Sequence, residues 1–210
     1  MDCRVGPGND KVKMPTIYYI RHGETEWNAV GRLQGAQDVA LNANGIKQAG
    51  AAGAILADLL AHHGREASSV AFVSSPLGRA RTTMELVRGA LRLPAEDYAI
   101  DHRLREIGYG RWEGATLEEA CRADPALYAR RQADKWTVAA PGGESYAEVQ
   151  ARVSDWYAQV TADTVAVAHG GTARTLMVAL GFETPHSAAD LLIEQGVVYL
   201  FSGGRLAKYS

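Results

Sequence analysis

Apolar residues along the chain gather into three short runs, each typical of a buried strand. The runs cover Thr16 to Ile20, Val70 to Val73 and Thr164 to Ala168. Each is four or five residues long and consists almost entirely of aliphatic, aromatic or β-branched side chains. Near-continuous apolar runs of this length indicate strands that are covered on both faces.

Segments with a helical period lie between these runs. Apolar residues recur at helical spacing from Gly45 to about His62, with Asn42 in the N-cap position, and a second helix is predicted from Gly78 to about Leu91. From Tyr146 to Val160 the apolar positions step by three and four, which indicates an amphipathic helix. This alternation of strand, loop and helix predicts an α/β fold with parallel strands.

The remaining patterns are weaker. Asp97 to Leu104 is predicted to hold a short strand, and a helical segment interrupted near Pro125 is predicted from Thr116, its N-cap, to about Lys135. Val197 to Tyr209 has the pattern of a hairpin. Because we find no repeat or linker, residues 16–210 are predicted to form one domain, and residues 1–15 a disordered N-terminal lead.

The charge of the chain restricts its partners. Among 210 residues, 22 are Lys or Arg and 24 are Asp or Glu, a net charge of -2. This balance argues against a nucleic acid or a membrane surface as the partner. Cys3 and Cys121 match no disulfide framework or metal-ligand spacing, and no apolar run approaches the ~18 residues of a membrane span. A cytoplasmic protein is predicted.

Chemically distinctive residues follow the predicted strands. Arg21-His22-Gly23 ends the first strand, His169-Gly170 ends the third, and Arg79 stands in the first turn of the helix after the second. Because the carboxyl ends of parallel strands meet at one edge of a sheet, these side chains are expected to share a pocket. Arginines beside a helix N-terminus favour an anion, so the sequence predicts a phosphate site.

Two other chemistries were weighed for this pocket. Two histidines and a carboxylate could bind zinc, but arginines beside them would oppose a cation, and no His-x-x-x-His or Cys-x-x-Cys spacing occurs. A Ser-His-Asp hydrolase would need a Gly-x-Ser-x-Gly turn, which is absent from the sequence. Neither a metal nor a cofactor is therefore predicted, and phosphoryl transfer fits the residues best.

The motif Arg21-His22-Gly23-Glu24-Thr25, followed by Trp27-Asn28, resembles the signature of the histidine phosphatase superfamily, also called the phosphoglycerate mutase-like family. Its other motifs occur here in family order between residue 16 and about 181: Gln34-Gly35, Ser75-Pro76-Leu77-Gly78-Arg79-Ala80, Leu104-Arg105-Glu106, Gly110-Arg111-Trp112-Glu113-Gly114, Gly143-Glu144-Ser145 and His169-Gly170. The resemblance implies a three-layer α/β/α sandwich with a mixed, mostly parallel six-stranded sheet.

The resemblance also implies a role for eight residues. His22 would take the phosphoryl group as phosphohistidine, and Glu106 would protonate the leaving oxygen and later activate water. The side chains that would hold the phosphoryl oxygens are Arg21, Arg79 and His169. The other groups around the ligand would be Asn28, Gln34 and the Gly170 backbone. Arg130-Arg131 is interpreted as a charged helix face that could contact the far end of an acidic substrate.

Three functions stay open at this point. The expected one is a phosphatase of the histidine acid phosphatase type that hydrolyses a small sugar- or acid-type phosphomonoester. A cofactor-dependent phosphoglycerate mutase is the alternative, although only about thirty residues separate Trp112 from Gly142, where such mutases carry a longer insert. A regulatory module that binds phosphate ligands without turnover is the third. The expected partner is a small phosphorylated metabolite, and the sequence predicts no oligomeric state.

Overall fold

The computed structural model describes residues 14–210, so most of the predicted N-terminal lead, residues 1–13, lies outside the described residues. The described part contains one mixed sheet with strand order β3-β2-β4-β1-β5-β6. Its strands are β1 Ile17–Arg21, β2 Ala71–Ser74, β3 Ala99–Ile100, β4 Thr164–Ala168, β5 Val198–Ser202 and β6 Arg205–Tyr209. β1 to β4 pair in parallel and β5 and β6 antiparallel, which confirms the mostly parallel six-stranded sheet.

Helices connect and cover the strands. They are α1 Glu26–Ala29, α2 Ala43–His62, α3 Gly78–Ala90, α4 Leu117–Ala123, α5 Pro125–Ala133, α6 Tyr146–Tyr157, α7 Gly170–Ala179 and α8 Pro185–Ala188. The N-caps predicted at Asn42 and Thr116 are confirmed, because each side chain accepts a hydrogen bond from a first-turn N–H. Ser145 caps α6 in the same way. Within residues 14–210, no helix combines the length and apolar character that crossing a bilayer requires.

The two faces of the sheet bury separate apolar clusters. Successive residues of a strand point to opposite faces, so Tyr18 and Ile20 pack with residues of α2 and α3, whereas Ile17 and Tyr19 pack with residues of α6 and α7. All four side chains are at most 1 % exposed. The arrangement is the three-layer α/β/α sandwich that the resemblance implied.

One predicted element is shorter in the structure. The strand expected between Asp97 and Leu104 covers only Ala99–Ile100. The Asp101 carboxylate accepts a hydrogen bond from the Arg103 N–H at 2.9 Å, and a 3₁₀ turn over His102–Leu104 follows. This local turn competes with extension of the strand and buries Leu104 completely.

The register of the central strands brings the candidate residues together. Arg21 pairs with Ala168 at the carboxyl ends of β1 and β4. The His22 N–H donates to the Ala168 carbonyl at 2.9 Å, and the Ser75 N–H donates to the Val167 carbonyl at 3.0 Å. The segments after β1, β2 and β4 therefore begin at the same edge of the sheet.

Candidate active site

His22 lies directly after β1 and is 2 % exposed. Its Nδ1 is 2.7 Å from the Gly23 carbonyl oxygen, which can only accept, so the ring donates from Nδ1. Burial and the guanidiniums of Arg21 and Arg79 hold the pKa of His22 well below 6.5, against a smaller upward effect of the Gly23 hydrogen bond. The ring is therefore neutral at physiological pH, with a lone pair on Nε2.

Arg79 directs its guanidinium at that lone pair. It is the second residue of α3, is 1 % exposed, and its Nε lies 3.3 Å from His22 Nε2. The two terminal nitrogens donate to the backbone carbonyls of Gln37, at 2.6 Å, and Gly35, at 2.9 Å. These carbonyls fix the outer edge of the guanidinium, so its orientation toward His22 is set before any ligand binds.

Arg21 supplies the second guanidinium and is half-buried. One of its terminal nitrogens donates to the Ile193 carbonyl at 2.6 Å, whereas its Nε is buried without a partner among residues 14–210. Burial lowers the pKa of both Arg21 and Arg79, although the Glu106 carboxylate opposes this shift in each. A cation with a buried, unused donor is a ready site for an anion.

His169 follows β4, is fully buried, and its ring centre lies 5.0 Å from that of His22. Its Nε2 is 2.7 Å from Ser75 Oγ, and Ser75 Oγ also accepts from the Leu77 N–H at 3.4 Å. The Ser75 hydroxyl can then donate to Nε2, which places the ring proton on Nδ1. That Nδ1 is buried without a partner, so it is a third donor available to an anion.

Glu106 is held by backbone N–H groups. Its Oε1 accepts from the Ile107 N–H at 2.9 Å and from the Gly171 N–H at 3.0 Å. A Cβ at Gly171 would overlap Glu106 Oε1, so a residue without a side chain is required for this approach. The carboxyl group lines the same cavity as His22, with Oε2 left for other chemistry.

The three predicted substrate-binding residues line this cavity too, which has a volume of ≈ 130 Å³. The Asn28 side-chain oxygen accepts from the Thr25 N–H at 3.2 Å, which leaves its NH₂ group to donate to a ligand. Gln34 Oε1 is buried without a partner. Gly170 is the first residue of α7, where an N–H has no intrahelical acceptor. We call this cavity the phosphate pocket.

Two residues at or beside the pocket, Gln195 and Arg174, were not predicted from the sequence. The Gln195 amide donates to the His22 carbonyl at 3.1 Å and to Asn28 Oδ1 at 3.2 Å. Arg174, one turn into α7, lines the pocket and donates to the Leu191 carbonyl at 2.9 Å. Only the position of Arg174 four residues after Gly170 could have indicated it, since a helix brings such residues to one face. Gln195 carries no signal of this kind.

A second cavity of ≈ 190 Å³ adjoins the phosphate pocket and shares Leu33, Tyr109 and Arg174 with it. We call it the side cavity. The rest of its lining is largely aromatic and cationic and comes from α4 to α6 and from the segments beside them: Trp112, Leu117, Tyr128, Arg131, Gln132, Lys135, Tyr146, Ala189 and Asp190. The helical segment predicted from Thr116 to about Lys135 therefore forms much of this cavity.

Arg131 corrects the interpretation of Arg130-Arg131 as a charged helix face. Arg130 is exposed, but Arg131 is only 6 % exposed and its guanidinium lies 5.5 Å from the centre of the Tyr109 ring. The Nε and one terminal nitrogen of Arg131 are buried without a partner. Since a buried, unpaired cation is unfavourable, the side cavity favours an anionic group.

The arrangement is suited to phosphoryl transfer. Donors from Arg21, Arg79 and His169 surround the lone pair of a neutral imidazole, and a carboxyl group lies at the same cavity. Within residues 14–210, no three His, Cys, Asp or Glu side chains lie close enough together to hold a metal ion.

The sequence and the fold were compared with known proteins. A family model described as the histidine phosphatase superfamily, branch 1, matches residues 17–202. The bifunctional protein Rv2228c of Mycobacterium tuberculosis is 40 % identical over 137 residues, which is 65 % of this chain and 35 % of that protein. The chain thus matches about a third of the length of that relative.

Two further comparisons cover nearly the full length of both partners. A 2,3-bisphosphoglycerate-dependent phosphoglycerate mutase of Beijerinckia indica is 29 % identical over 88 % of this chain and 90 % of that protein. The solved structure of mycobacterial glucosyl-3-phosphoglycerate phosphatase Rv2419c, in complex with VO3, superposes with a TM-score of 0.73 and 29 % identity. That superposition covers 92 % of this chain and 96 % of the other.

Proposed function

The chain belongs to branch 1 of the histidine phosphatase superfamily, and we propose that it hydrolyses small sugar- or acid-type phosphomonoesters through a phosphohistidine, as an enzyme of the histidine acid phosphatase type. The observation that carries the proposal is the buried, neutral His22 ring, whose Nε2 meets Arg79 at 3.3 Å while Nδ1 is held by the Gly23 carbonyl. A fixed tautomer that leaves Nε2 unprotonated is what a nucleophilic imidazole needs.

In the first step, His22 Nε2 attacks phosphorus and the bond from phosphorus to the ester oxygen breaks. Arg21, Arg79 and His169 Nδ1 donate to the phosphoryl oxygens, where charge develops. Glu106 gives a proton to the leaving oxygen, so the product is a neutral alcohol. The donors are held by backbone carbonyls and by Ser75 before the ligand arrives, which supports a preorganised site.

In the second step, water attacks the phosphohistidine. The Glu106 carboxylate takes the proton of the attacking water, the bond between phosphorus and Nε2 breaks, and neutral His22 is restored as phosphate leaves. The same carboxyl group thus acts as acid and then as base. Its proximity to the Gly171 N–H at the start of α7 supports a fixed position in both steps.

The side cavity favours an acidic leaving group. It adjoins the phosphate pocket through Tyr109 and Arg174, and it contains the unpartnered guanidinium nitrogens of Arg131. A substrate with a carboxylate beyond its phosphate ester would pair with that guanidinium. The ligand we propose is therefore a small phosphorylated metabolite. The two cysteines, which match no disulfide framework, support a cytoplasmic location.

The mechanism is tested by trapping the intermediate. With p-nitrophenyl phosphate, rapid mixing should give a burst of p-nitrophenol, and a labelled phosphoryl group should appear on His22 with the acid lability and alkali stability of phosphohistidine. His22→Ala should lose both the label and the turnover. Full activity in that variant would exclude the mechanism. Absence of turnover by the unaltered protein on a panel of phosphomonoesters would favour the regulatory module.

A phosphoglycerate mutase is the second candidate, favoured by the similarity to the Beijerinckia indica enzyme over most of both chains. A mutase returns the phosphoryl group to a bound sugar acid and must keep water out. The two functions are separated by incubating the protein with 3-phosphoglycerate and measuring 2-phosphoglycerate and free phosphate together. The hydrolase proposal expects phosphate to be the main product, whereas dominant interconversion would support the mutase.

A further inference from the structure

An ion pair lies behind the loop that carries Glu106. Arg152 of α6 donates from Nε to Glu144 Oε1 and from a terminal nitrogen to Glu144 Oε2, both at 3.0 Å. The side chains of Arg152 and Glu144 are 12 % and 20 % exposed. A two-bond pair of this kind has a fixed geometry, unlike the mobile ion pairs of exposed side chains.

Arg152 also reaches the backbone of the loop. One terminal nitrogen donates to the carbonyl of Arg103 at 2.5 Å and to that of Arg105 at 2.8 Å. The other donates to the carbonyl of Glu106 at 3.2 Å. One guanidinium therefore holds three carbonyls of the segment that leads into Glu106.

Glu144 holds the other side of the same segment. Its carboxylate accepts from the Gly108 N–H at 3.0 Å and from the Arg105 guanidinium at 3.0 Å. Its own N–H donates to the Gly108 carbonyl at 2.8 Å. Burial alone would raise the pKa of Glu144, but the hydrogen bonds from Arg152 and Gly108 outweigh it and lower the pKa. The carboxylate stays charged.

We propose that Glu144 and Arg152 are positioning residues for the proton transfers of Glu106. Neither side chain lines the phosphate pocket. They hold the backbone on both sides of Glu106, at its own carbonyl and at the Gly108 N–H two residues later. The Glu106 side chain is then aligned by the Gly171 N–H. This inference rests on the proposed function, since the pair is proposed to position Glu106, the acid of that reaction.

The chemistry of the leaving group provides a specific test. An alkoxide must receive a proton as it departs, whereas p-nitrophenolate is stable as an anion, so only alkyl esters need the acid in the first step. A general acid contributes a factor of ~10²–10⁴ to the rate. In Glu144→Gln part of that factor should be lost, so kcat/KM for an alkyl phosphomonoester such as phosphoserine should fall about tenfold or more. For p-nitrophenyl phosphate it should fall less than about threefold.

The matched control is Asp163→Asn. Asp163 lies at the opposite edge of the sheet, before β4, and likewise pairs with an arginine, Arg65, and accepts a backbone N–H, that of Thr16. A loss of stability alone would lower kcat/KM for both substrates equally in either variant. If Glu144→Gln folds poorly, Arg152→Lys is the alternative variant. Lysine keeps the charge but lacks the planar guanidinium that donates to three carbonyls, so the same selective loss of alkyl ester hydrolysis is expected.

A double variant completes the test. In a Glu106→Gln background the acid is already absent, so adding Glu144→Gln should not lower alkyl ester hydrolysis further. An equal loss for both substrates, or a further loss in the double variant, would overturn the positioning role. These outcomes differ from failure of the proposed function itself, in which the unaltered protein would hydrolyse neither ester.

Discussion

The phosphate pocket and the side cavity adjoin at Tyr109 and Arg174 but hold their cations in different ways. In the phosphate pocket, Arg79 donates to two backbone carbonyls and Arg21 to one. In the side cavity, Arg131 rests on the Tyr109 ring with two nitrogens unpartnered. The guanidinium of Arg79 is therefore oriented before a ligand binds. The guanidinium of Arg131 instead has two buried N–H donors that a ligand could satisfy.

This difference suggests a division of labour. In the proposed mechanism, groups fixed by the backbone act on the phosphoryl group, which every phosphomonoester shares. The Arg131 guanidinium would act on the part of the substrate that varies. Substitutions in the phosphate pocket should therefore affect all substrates alike, whereas substitutions in the side cavity should separate acidic substrates from neutral ones.

The largest effect is expected from His22→Asn, which keeps the size of the side chain but removes the nucleophile. Turnover should fall by about 10⁴-fold or more, as is usual when a nucleophile is lost, and equally for acidic and neutral phosphomonoesters. Steady-state kinetics with both classes measures this, with circular dichroism to show that the fold is kept. A loss confined to one class would contradict the division between the two regions.

Arg131→Met should discriminate between substrates. Loss of a charged hydrogen bond costs about 1.5–3 kcal/mol, so kcat/KM for a carboxylate-bearing phosphomonoester should fall about ten- to hundredfold. Neutral sugar phosphates should be unaffected or improved. Arg130→Met, at the neighbouring exposed position, is the matched control and should leave kcat/KM unchanged for both classes of substrate. Equal losses for both substrates would remove Arg131 from substrate selection.

Gly171→Ala tests how closely α7 must approach the Glu106 carboxyl group. The new Cβ would overlap Glu106 Oε1 and crowd Ile107 Cγ2, so we expect a destabilisation of about 1–3 kcal/mol and a selective loss of alkyl ester hydrolysis of about tenfold. Gly50→Ala, in an exposed part of α2 with nothing within 4 Å of its Cβ, should instead stabilise by about 0.5–1 kcal/mol. Unchanged activity in Gly171→Ala would show that Glu106 can move freely.

The smallest effect is the pH dependence of the free energy of unfolding, which reports the cost of burying His22 and His169 as neutral rings. Burial and the guanidiniums of Arg21 and Arg79 lower the pKa values of His22 and His169 well below 6.5. Below that pH the unfolded chain binds protons that the folded chain does not, so stability falls on acidification. Above about pH 7 both states are neutral and the contribution is constant.

Urea unfolding in phosphate-free buffer should show this loss between pH 7 and pH 6, on the order of 1–2 kcal/mol from the two rings. The double variant His22→Asn and His169→Asn should lose less over the same range. The same slope in the variant and the unaltered protein would mean that the two rings are not kept neutral by the fold.

The sequence predicted the phosphate pocket well because its residues follow strands. His22 and His169 come directly after buried apolar runs, so placing the strands placed the imidazoles. Arg79 was located by the helix that begins at Gly78. In each case a local pattern determines both the element and the edge of the sheet at which it ends.

The side cavity could not be predicted in this way. Arg131 lies on α5, whose side chains give no sign of which face packs against Tyr109, so its burial depends on contacts distant in sequence. Gln195 reaches His22 from a loop that lacks a periodic pattern. Of the Glu144–Arg152 pair, only Glu144 lies in a motif of the sequence, and the hydrogen bonds of the pair to the Glu106 loop join residues that are distant in sequence.

The central position of β1 has a consequence for synthesis on the ribosome. β1 is made before every other strand, yet it lies between β4 and β5, and its residue Ile17 pairs with Thr164 and Phe201. At a translation rate of ~5–20 residues per second, its first partner emerges about 7–30 s later. Until then a strand with four successive apolar residues, Ile17 to Ile20, has both edges unpaired, a state that favours aggregation. Aggregation of the nascent chain is therefore expected to begin at β1.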